Sequence, residues 1–420
     1  MQFTTTYFPS VADVTKASEK LEEVVTRTPL SQNMRYSNQF ECNVLFKRED
    51  LQQVRSYKIR GAYNKMSSLN EGEIENGIVC ASAGNHAQGV ALSCKLLKIK
   101  GTIYMPAPTP NQKVEQVKMF GANFIDIVLV GDTFDDSYHA AMLECDRLNK
   151  SFIHPFNDEK VIEGQATVGL EILNQSQTSI DYIFIPVGGG GLAAGLSTIF
   201  KQMSPQTKII GVEPEGAPSM SSSLQNGAVV ELKKIEKFVD GAAVRRVGDK
   251  TFEICKENLD NMITVPEGKV CQTILELYNK DAIVVEPAGA LSIAALDKYA
   301  EEIKGKNIVC LISGSNNDIT RTPEIKERAL LYTNLKHYFI IKFPQRAGAL
   351  REFVVEILGA DDDITHFEYT KKANRETDVA VVGIQLKSPS NLAPLITKLK
   401  LHNFYGDYLN DKPDLFQFLV

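Results

Sequence analysis

The sequence predicts an α/β chain: a parallel sheet covered by helices, followed by a small ferredoxin-like α+β module. Three observations carry this prediction. From about residue 40 to 315, short apolar runs alternate with helical patterns, as they do where crossover helices join parallel strands. Near 333–337 the alternation gives way to a strand-helix-strand-strand-helix-strand order, that of a ferredoxin-like module. The length, 420 residues, exceeds what one core ordinarily organises, so two or three domains are expected.

Taken in order, the expected strands of the first part are 44–46, 78–81, 102–105, 125–130, 182–187, 208–212 and 308–312. Amphipathic stretches lie between several of them. One is 85–97, with Ala87, Val90, Ala91, Cys94 and Leu97 on one face; another is 132–148. In the last part, 337–343 alternates as a strand, 348–358 reads as a helix, and 364–369 and 379–386 read as paired strands. A second helix at 392–401 and a final strand at 404–409 complete the module. The expected domains are 1–332 and 338–420, joined by a linker at 333–337. Open sheets of this kind bind ligands beyond the carboxyl ends of their strands, so the loops after strands are where chemistry is expected.

Composition excludes several classes. The net charge is −6 with both signs interspersed, which argues against nucleic acid or an anionic membrane as the main partner. The N-terminus lacks the basic start and apolar stretch of a secretory leader. Residues 183–200 carry no charge, but Pro186, the four glycines 188–191 and Gly195 interrupt them. A buried strand, a glycine loop and a helix are expected there, not a membrane span. Seven scattered cysteines without a C-x-x-C point to reduced thiols in the cytoplasm and to no zinc site. No metal is expected.

Three segments after strands could carry chemistry. Gly188-Gly189-Gly190-Gly191-Leu192 follows an apolar strand and opens a helix. Glycines there admit close backbone approach, and the first helical turn offers free N–H groups to an anion, a phosphate by preference. A merely flexible turn is the alternative. The segment is neither a Walker loop nor G-x-G-x-x-G. Ser82-Ala83-Gly84-Asn85-His86 occupies a second strand-to-helix junction and could cradle a carboxylate or simply cap the helix. In Ser56-Tyr57-Lys58-Ile59-Arg60-Gly61-Ala62, Lys58 sits at the expected start of a helix. A positive helix end and partial desolvation favour the neutral, nucleophilic amine; a solvated surface lysine is the bland reading.

Together these segments are more specific than any one alone. With Ser313-Gly314-Ser315-Asn316 they stand in the order seen in threonine deaminases, and the chain resembles that family of the tryptophan-synthase-β-like pyridoxal-phosphate enzymes. Thr28-Pro29-Leu30, Asp240-Gly241-Ala242-Ala243-Val244 and Glu286-Pro287-Ala288-Gly289-Ala290 match further. The resemblance covers about residues 10 to 330. It implies a two-subdomain fold type II core with pyridoxal 5′-phosphate as cofactor, Lys58 as the Schiff-base residue, and Gly188, Gly189, Gly190, Gly191 and Leu192 around the phosphate. Asn85 would meet the 3′-oxygen, Ser313 would face the pyridine nitrogen, and Ser82, Ala83, Gly84, Asn85 and His86 would receive the substrate carboxylate. No role follows for Glu286 or Asp281 as metal ligands.

The final module resembles the ACT-like regulatory domain of biosynthetic threonine deaminases. It departs from the usual Arg-Pro-Gly turn, reading Arg346-Ala347-Gly348, which puts effector affinity in question. The resemblance implies conversion of L-threonine to 2-oxobutanoate and ammonia in isoleucine biosynthesis, L-serine as a poorer substrate, isoleucine as allosteric inhibitor, valine as a further effector, and a cytoplasmic homotetramer. Serine dehydratase, serine racemase and threonine synthase are the nearest alternatives, because one methyl separates serine from threonine. A non-catalytic amino-acid sensor is the alternative from another class.

Overall fold

The computed structural model describes residues 7–369, 377–412 and 414–416. Ten strands form two sheets in the first part. They are β1 (Leu30–Gln32), β2 (Asn43–Arg48), β3 (Ile78–Ala81), β4 (Gly101–Met105), β5 (Ile125–Leu129), β6 (Ser151–Phe152), β7 (Tyr182–Pro186), β8 (Lys208–Pro214), β9 (Asn261–Val265) and β10 (Asn307–Ile312). The larger sheet has the order β1-β2-β10-β7-β8-β9 and the smaller β5-β4-β3-β6. All pairs are parallel except β1 with β2.

This topology positions the site. The chain leaves the larger sheet after β2, builds the smaller one, and returns at β7. β10 then inserts between β2 and β7, pairing Ile308 with both Val44 and Tyr182. The loops after these three neighbours therefore emerge at one edge, the carboxyl end, where ligands of open α/β sheets bind. Each sheet has its own apolar core. Ile183, Ile185, Leu196, Phe200, Val309 and Leu311 pack in the larger, and Ile78, Cys80, Val90, Ile103 and Val117 in the smaller.

The expected strands are present, and the helix Asn85–Leu97 has the expected bounds. β1, β6 and β9 were not anticipated. The first two have three and two residues, too short for a periodic pattern, and β9 is a partly exposed edge strand.

The compact units divide between Asn317 and Asp318. In the second, β11 (Lys336–Pro344), β12 (Asp363–Tyr369), β13 (Thr377–Gln385) and β14 (Tyr405–Tyr408) form an antiparallel sheet of order β12-β13-β11-β14. Its core is aromatic and aliphatic, with Phe339, Phe343, Phe353, Val382, Leu399 and Phe404 buried together. The helix expected at 348–358 begins as α-helix (Ala349–Glu352) and widens into a π turn (Phe353–Ile357). The preceding helix, Thr322–Tyr332, groups with this unit. Glu327 accepts from Tyr338 Oη at 2.7 Å and pairs with Lys336 Nζ at 2.9 Å. The segment 333–337 read as a linker thus lies within the second unit, and β11 starts inside it.

Among the described residues, no helix is long and apolar enough to cross a membrane, and no cluster of ligating side chains could hold a metal ion. All seven cysteines are free.

Candidate active site

Lys58 opens the helix Lys58–Met66, which follows the carboxyl end of β2. Its approach is fixed by the loop after β10. Tyr57 N donates to Ser313 O at 3.2 Å, Ser315 N donates to Arg55 O at 2.9 Å, and Ser56 bridges Gly314. On the other side, a Cβ on Gly89 would lie 3.1 Å from Lys58 O, so the helix Asn85–Leu97 touches the Lys58 backbone. Lys58 Nζ lies over the Tyr57 ring, 5.4 Å from its centroid, and donates to Pro155 O at 2.9 Å. Burial pushes its amine down to about 8, with the Glu286 carboxylate working against that shift. A neutral, nucleophilic lysine at this place is within reach near neutral pH.

The tetraglycine segment lies between β7 and the helix Gly191–Met203. Gly190 has φ +91° and serves as the helix N-cap, a conformation that strains any residue with a Cβ. Ala194 N bonds Gly190 O, so the N–H groups of the first turn have no helical partner. Phe156 packs over Gly189 and Gly191, and a Cβ on Gly188 would come within 2.9 Å of Ala242 Cα. Any added side chain would collide with these neighbours. A phosphate-bearing group fits this cradle, because bare backbone and a helix N-terminus face the space together. Leu192 is buried in the core behind it.

Asn85 opens the helix after β3. Its Nδ2 donates to Glu286 Oε1 at 2.7 Å, and its Oδ1 accepts from Asn316 Nδ2 at 2.7 Å. These two partners fix the amide's orientation and leave its second amide hydrogen for a ligand. Ser313 stands just past β10, 3 % exposed; its carbonyl accepts from Tyr57 N, and its side chain carries one hydroxyl. The amine, the anion cradle, the oriented amide and this hydroxyl suit pyridoxal phosphate as a set.

The segment 82–86 divides by role. Ser82 Oγ accepts from Gly84 N at 3.2 Å, and Gly84 is the N-cap of its helix, with open space beside it. His86, in contrast, is buried, with Nε2 2.8 Å from Ile153 O. Burial and the nearby Lys58 charge push its imidazole down to about 3. Its ring is thus a neutral structural contact, and only its backbone N–H belongs to the open first turn.

Sequence reasoning gave no role to Glu286, Pro155 or Phe156. Glu286 is 5 % exposed and occupies the N-cap position of the helix Pro287–Ala294 without a side-chain cap hydrogen bond. Burial, reinforced by Asp240, pushes its carboxyl up to about 7, against the Asn85 hydrogen bond. The one available signal was the match of 286–290 to the family pattern. Pro155 and Phe156 follow the two-residue strand β6 and carry no motif.

Residues 21–314 match the family described as pyridoxal-phosphate dependent enzyme. Residues 327–419 match the C-terminal regulatory domain of threonine dehydratase. The chain is 54% identical over 410 residues to the biosynthetic L-threonine dehydratase IlvA of Halalkalibacterium halodurans, covering 98% of this chain and 99% of that protein. It is 55% identical over 410 residues to its counterpart in Bacillus subtilis, covering 98% and 97%. Among solved structures, it resembles the processed form of threonine deaminase isoform 2 from Solanum lycopersicum. That match has a TM-score of 0.72 and 40% identity, covering 77% of this chain and 95% of that one.

Proposed function

The chain belongs to the biosynthetic L-threonine dehydratases, pyridoxal-phosphate enzymes of isoleucine biosynthesis with a C-terminal regulatory domain, and on that premise we propose the role of each site residue. Its first unit is a fold type II core. The cofactor, when bound, supplies an electron sink for charge developing at the substrate Cα. Lys58 would be its point of covalent attachment, and the freed Lys58 amine would take the substrate Cα proton as general base. The backbone of Gly188–Gly191 and Leu192 would hold the phosphate, Asn85 would meet the 3′-oxygen, and Ser313 would donate to the ring nitrogen. Ser82, Ala83, Gly84, Asn85 and the His86 N–H receive the substrate carboxylate. The β-hydroxyl would leave as water, its added proton balancing the Cα proton taken by Lys58, and the released enamine would tautomerise to the imine and hydrolyse to 2-oxobutanoate and ammonia.

The observation that carries this reading is the desolvated Lys58 amine beside the Asn85 and Ser313 segments, with its Pro155 contact adjoining Phe156 over the glycine cradle. A pH test follows from it. An amine attacks an aldehyde only when neutral, and a lysine at about 8 is half neutral at that pH. Attachment of added pyridoxal phosphate to cofactor-free protein should quicken as pH rises towards 8 and level off above it, followed by visible absorbance. An ordinary lysine would keep quickening to about pH 10.4; a rise continuing through pH 9.5 would count against a desolvated Lys58.

Regulation is assigned to the second unit. Isoleucine occupies the cleft lined by Phe343, Arg346, Gly348, Leu350, Phe367 and Tyr369 and favours a less active state, as an effector with different affinities for two states must. Valine is a further effector of the same unit. L-serine is turned over more slowly than threonine, since a pocket reads one methyl by only about 1–3 kcal/mol. The assembly is a cytoplasmic homotetramer. The decisive assay is 2-oxobutanoate release from threonine with and without isoleucine, in the full chain and in a chain ending at Asn317, where the first unit closes. Both should release ketoacid, and only the full chain should be suppressed by isoleucine. Equal suppression of the shortened chain would remove the second unit from regulation.

A further inference from the structure

Two residues beyond Lys58, Arg60 faces the opposite way, because two helical steps rotate a side chain by about 200°. Its guanidinium is fully buried. Nε and Nη2 each donate to one Glu49 oxygen at 2.8 Å, while Nη1 donates to Glu171 Oε1 at 2.7 Å and Thr167 Oγ1 at 3.1 Å. Lys47 Nζ, also buried, donates to Glu171 Oε2 at 2.6 Å and Thr28 O at 2.8 Å. Thr28 Oγ1 completes the set by donating to Glu49 Oε1 at 2.6 Å. One side chain of the Lys58 helix is thereby tied to β2, to the turn after it, and to the helix Glu159–Gln175.

Two features set this network apart from ordinary packing. Two buried cations held by one buried carboxylate and one partly buried one (Glu171, 14% exposed) stabilise a fold little better than apolar residues of the same shape, and often less well. A specific geometry is what they can add. The Lys58 helix also needs outside help at its start. It has no side-chain cap and no acidic residue in its first turn. Arg60 instead places a permanent positive charge at its positive end. Glu49, from outside the helix, supplies the missing anion with both oxygens.

We propose that Arg60 is a positioning residue for the reaction: its fork on Glu49 and Glu171 fixes the rotation and height of the first helical turn, and with them the place of Lys58 Nζ. This rests on the assignment of Lys58 made above. Bidentate pairing holds orientation as well as distance, and Lys58 has to reach both the cofactor and the substrate Cα. A shift of about 1 Å in a reacting group is worth about a hundredfold in rate.

The test compares full-length, cofactor-loaded wild type with Arg60→Lys, which keeps the charge but loses the fork, and Arg60→Met, which replaces it with an apolar chain. Both should lower kcat by roughly ten- to a hundredfold with little change in KM. Both should also release pyridoxal phosphate faster and shift the pH dependence of its visible absorbance; Arg60→Met, which leaves Glu49 buried without its cation, should in addition lower the thermal midpoint, so both variants are compared with wild type well below it. Should Arg60→Met fail to fold, Arg60→Lys decides alone. Wild-type kcat and cofactor retention in a folded variant would overturn the proposal, as would losses that disappear when the variant is assayed well below its unfolding temperature. Lys58→Ala serves as the companion measurement. If it keeps the cofactor covalently bound, the assignment of Lys58 fails and the proposal with it. If it loses the cofactor while both Arg60 variants behave as wild type, only the positioning role fails.

Discussion

Lys58→Ala is expected to lose the visible absorbance of covalently held cofactor and nearly all release of 2-oxobutanoate. Removing a general base lowers turnover by about a hundred- to ten-thousandfold, and the lost covalent attachment adds to that. The expectation follows from the position of the Nζ, 2.9 Å from Pro155 O, where burial drives the amine down to about 8. Lys65 provides the control. It lies in the last turn of the same helix and pairs with Asp158 at 2.9 Å, with 23% and 21% of the two side chains exposed. Partly exposed pairs of this kind contribute about 0–1 kcal/mol, so Lys65→Ala should keep its cofactor and its activity within about a factor of two. Wild-type turnover in a Lys58→Ala protein with cofactor bound would require another lysine to be named.

How much of this was legible in the sequence depends on whether the information is local. The strand runs and the helix Asn85–Leu97 were readable because burial imposes a period on neighbouring residues. The order of the strands was not. Insertion of β10 between β2 and β7 depends on pairings more than 120 residues apart, and it is this insertion that brings Ser313 to Lys58. The placement of the helix Thr322–Tyr332 was likewise out of reach, since periodicity shows that a helix has an apolar face but not which core that face covers.

The site shows the same division. Glycines at a strand-to-helix junction suggest an anion cradle from local sequence, with a flexible turn as the alternative, whereas Lys58 is one lysine among many until its neighbours in the fold are known. Glu286 meets Asn85 across 201 positions and Arg60 meets Glu171 across 111, and nothing in either local sequence marks the partnership. His86 illustrates the converse. Its place in a recognisable segment suggested a substrate contact, yet its ring serves the carbonyl of Ile153. Segment resemblance transfers backbone geometry more securely than it transfers the direction of each side chain.

Gly164→Ala is the second large effect expected, at a residue outside the binding loops. The helix Glu159–Gln175 crosses the Lys58 helix so closely that a Cβ on Gly164 would lie 2.5 Å from Arg60 O and 2.7 Å from Gly61 Cα. Both obstacles are backbone, so no rotamer change can relieve the clash. One helix must move, and the Arg60 network with Glu171 and Thr167 resists that movement. Overpacking of this kind costs about 1–3 kcal/mol, and displacement of Lys58 adds a kinetic loss of about a hundredfold for each ångström. The variant should therefore fold with a lower thermal midpoint and lose far more activity than its stability change explains, with the cofactor released faster. Gly72→Ala is the matched control, because the nearest atom to its added Cβ is the Asn70 side-chain oxygen at 3.5 Å, in an exposed helix where alanine is the better former. If Gly164→Ala lost stability but kept wild-type kcat, the contact between the two helices would be a matter of packing alone, and the placement of Lys58 would have to depend on the loop after β10.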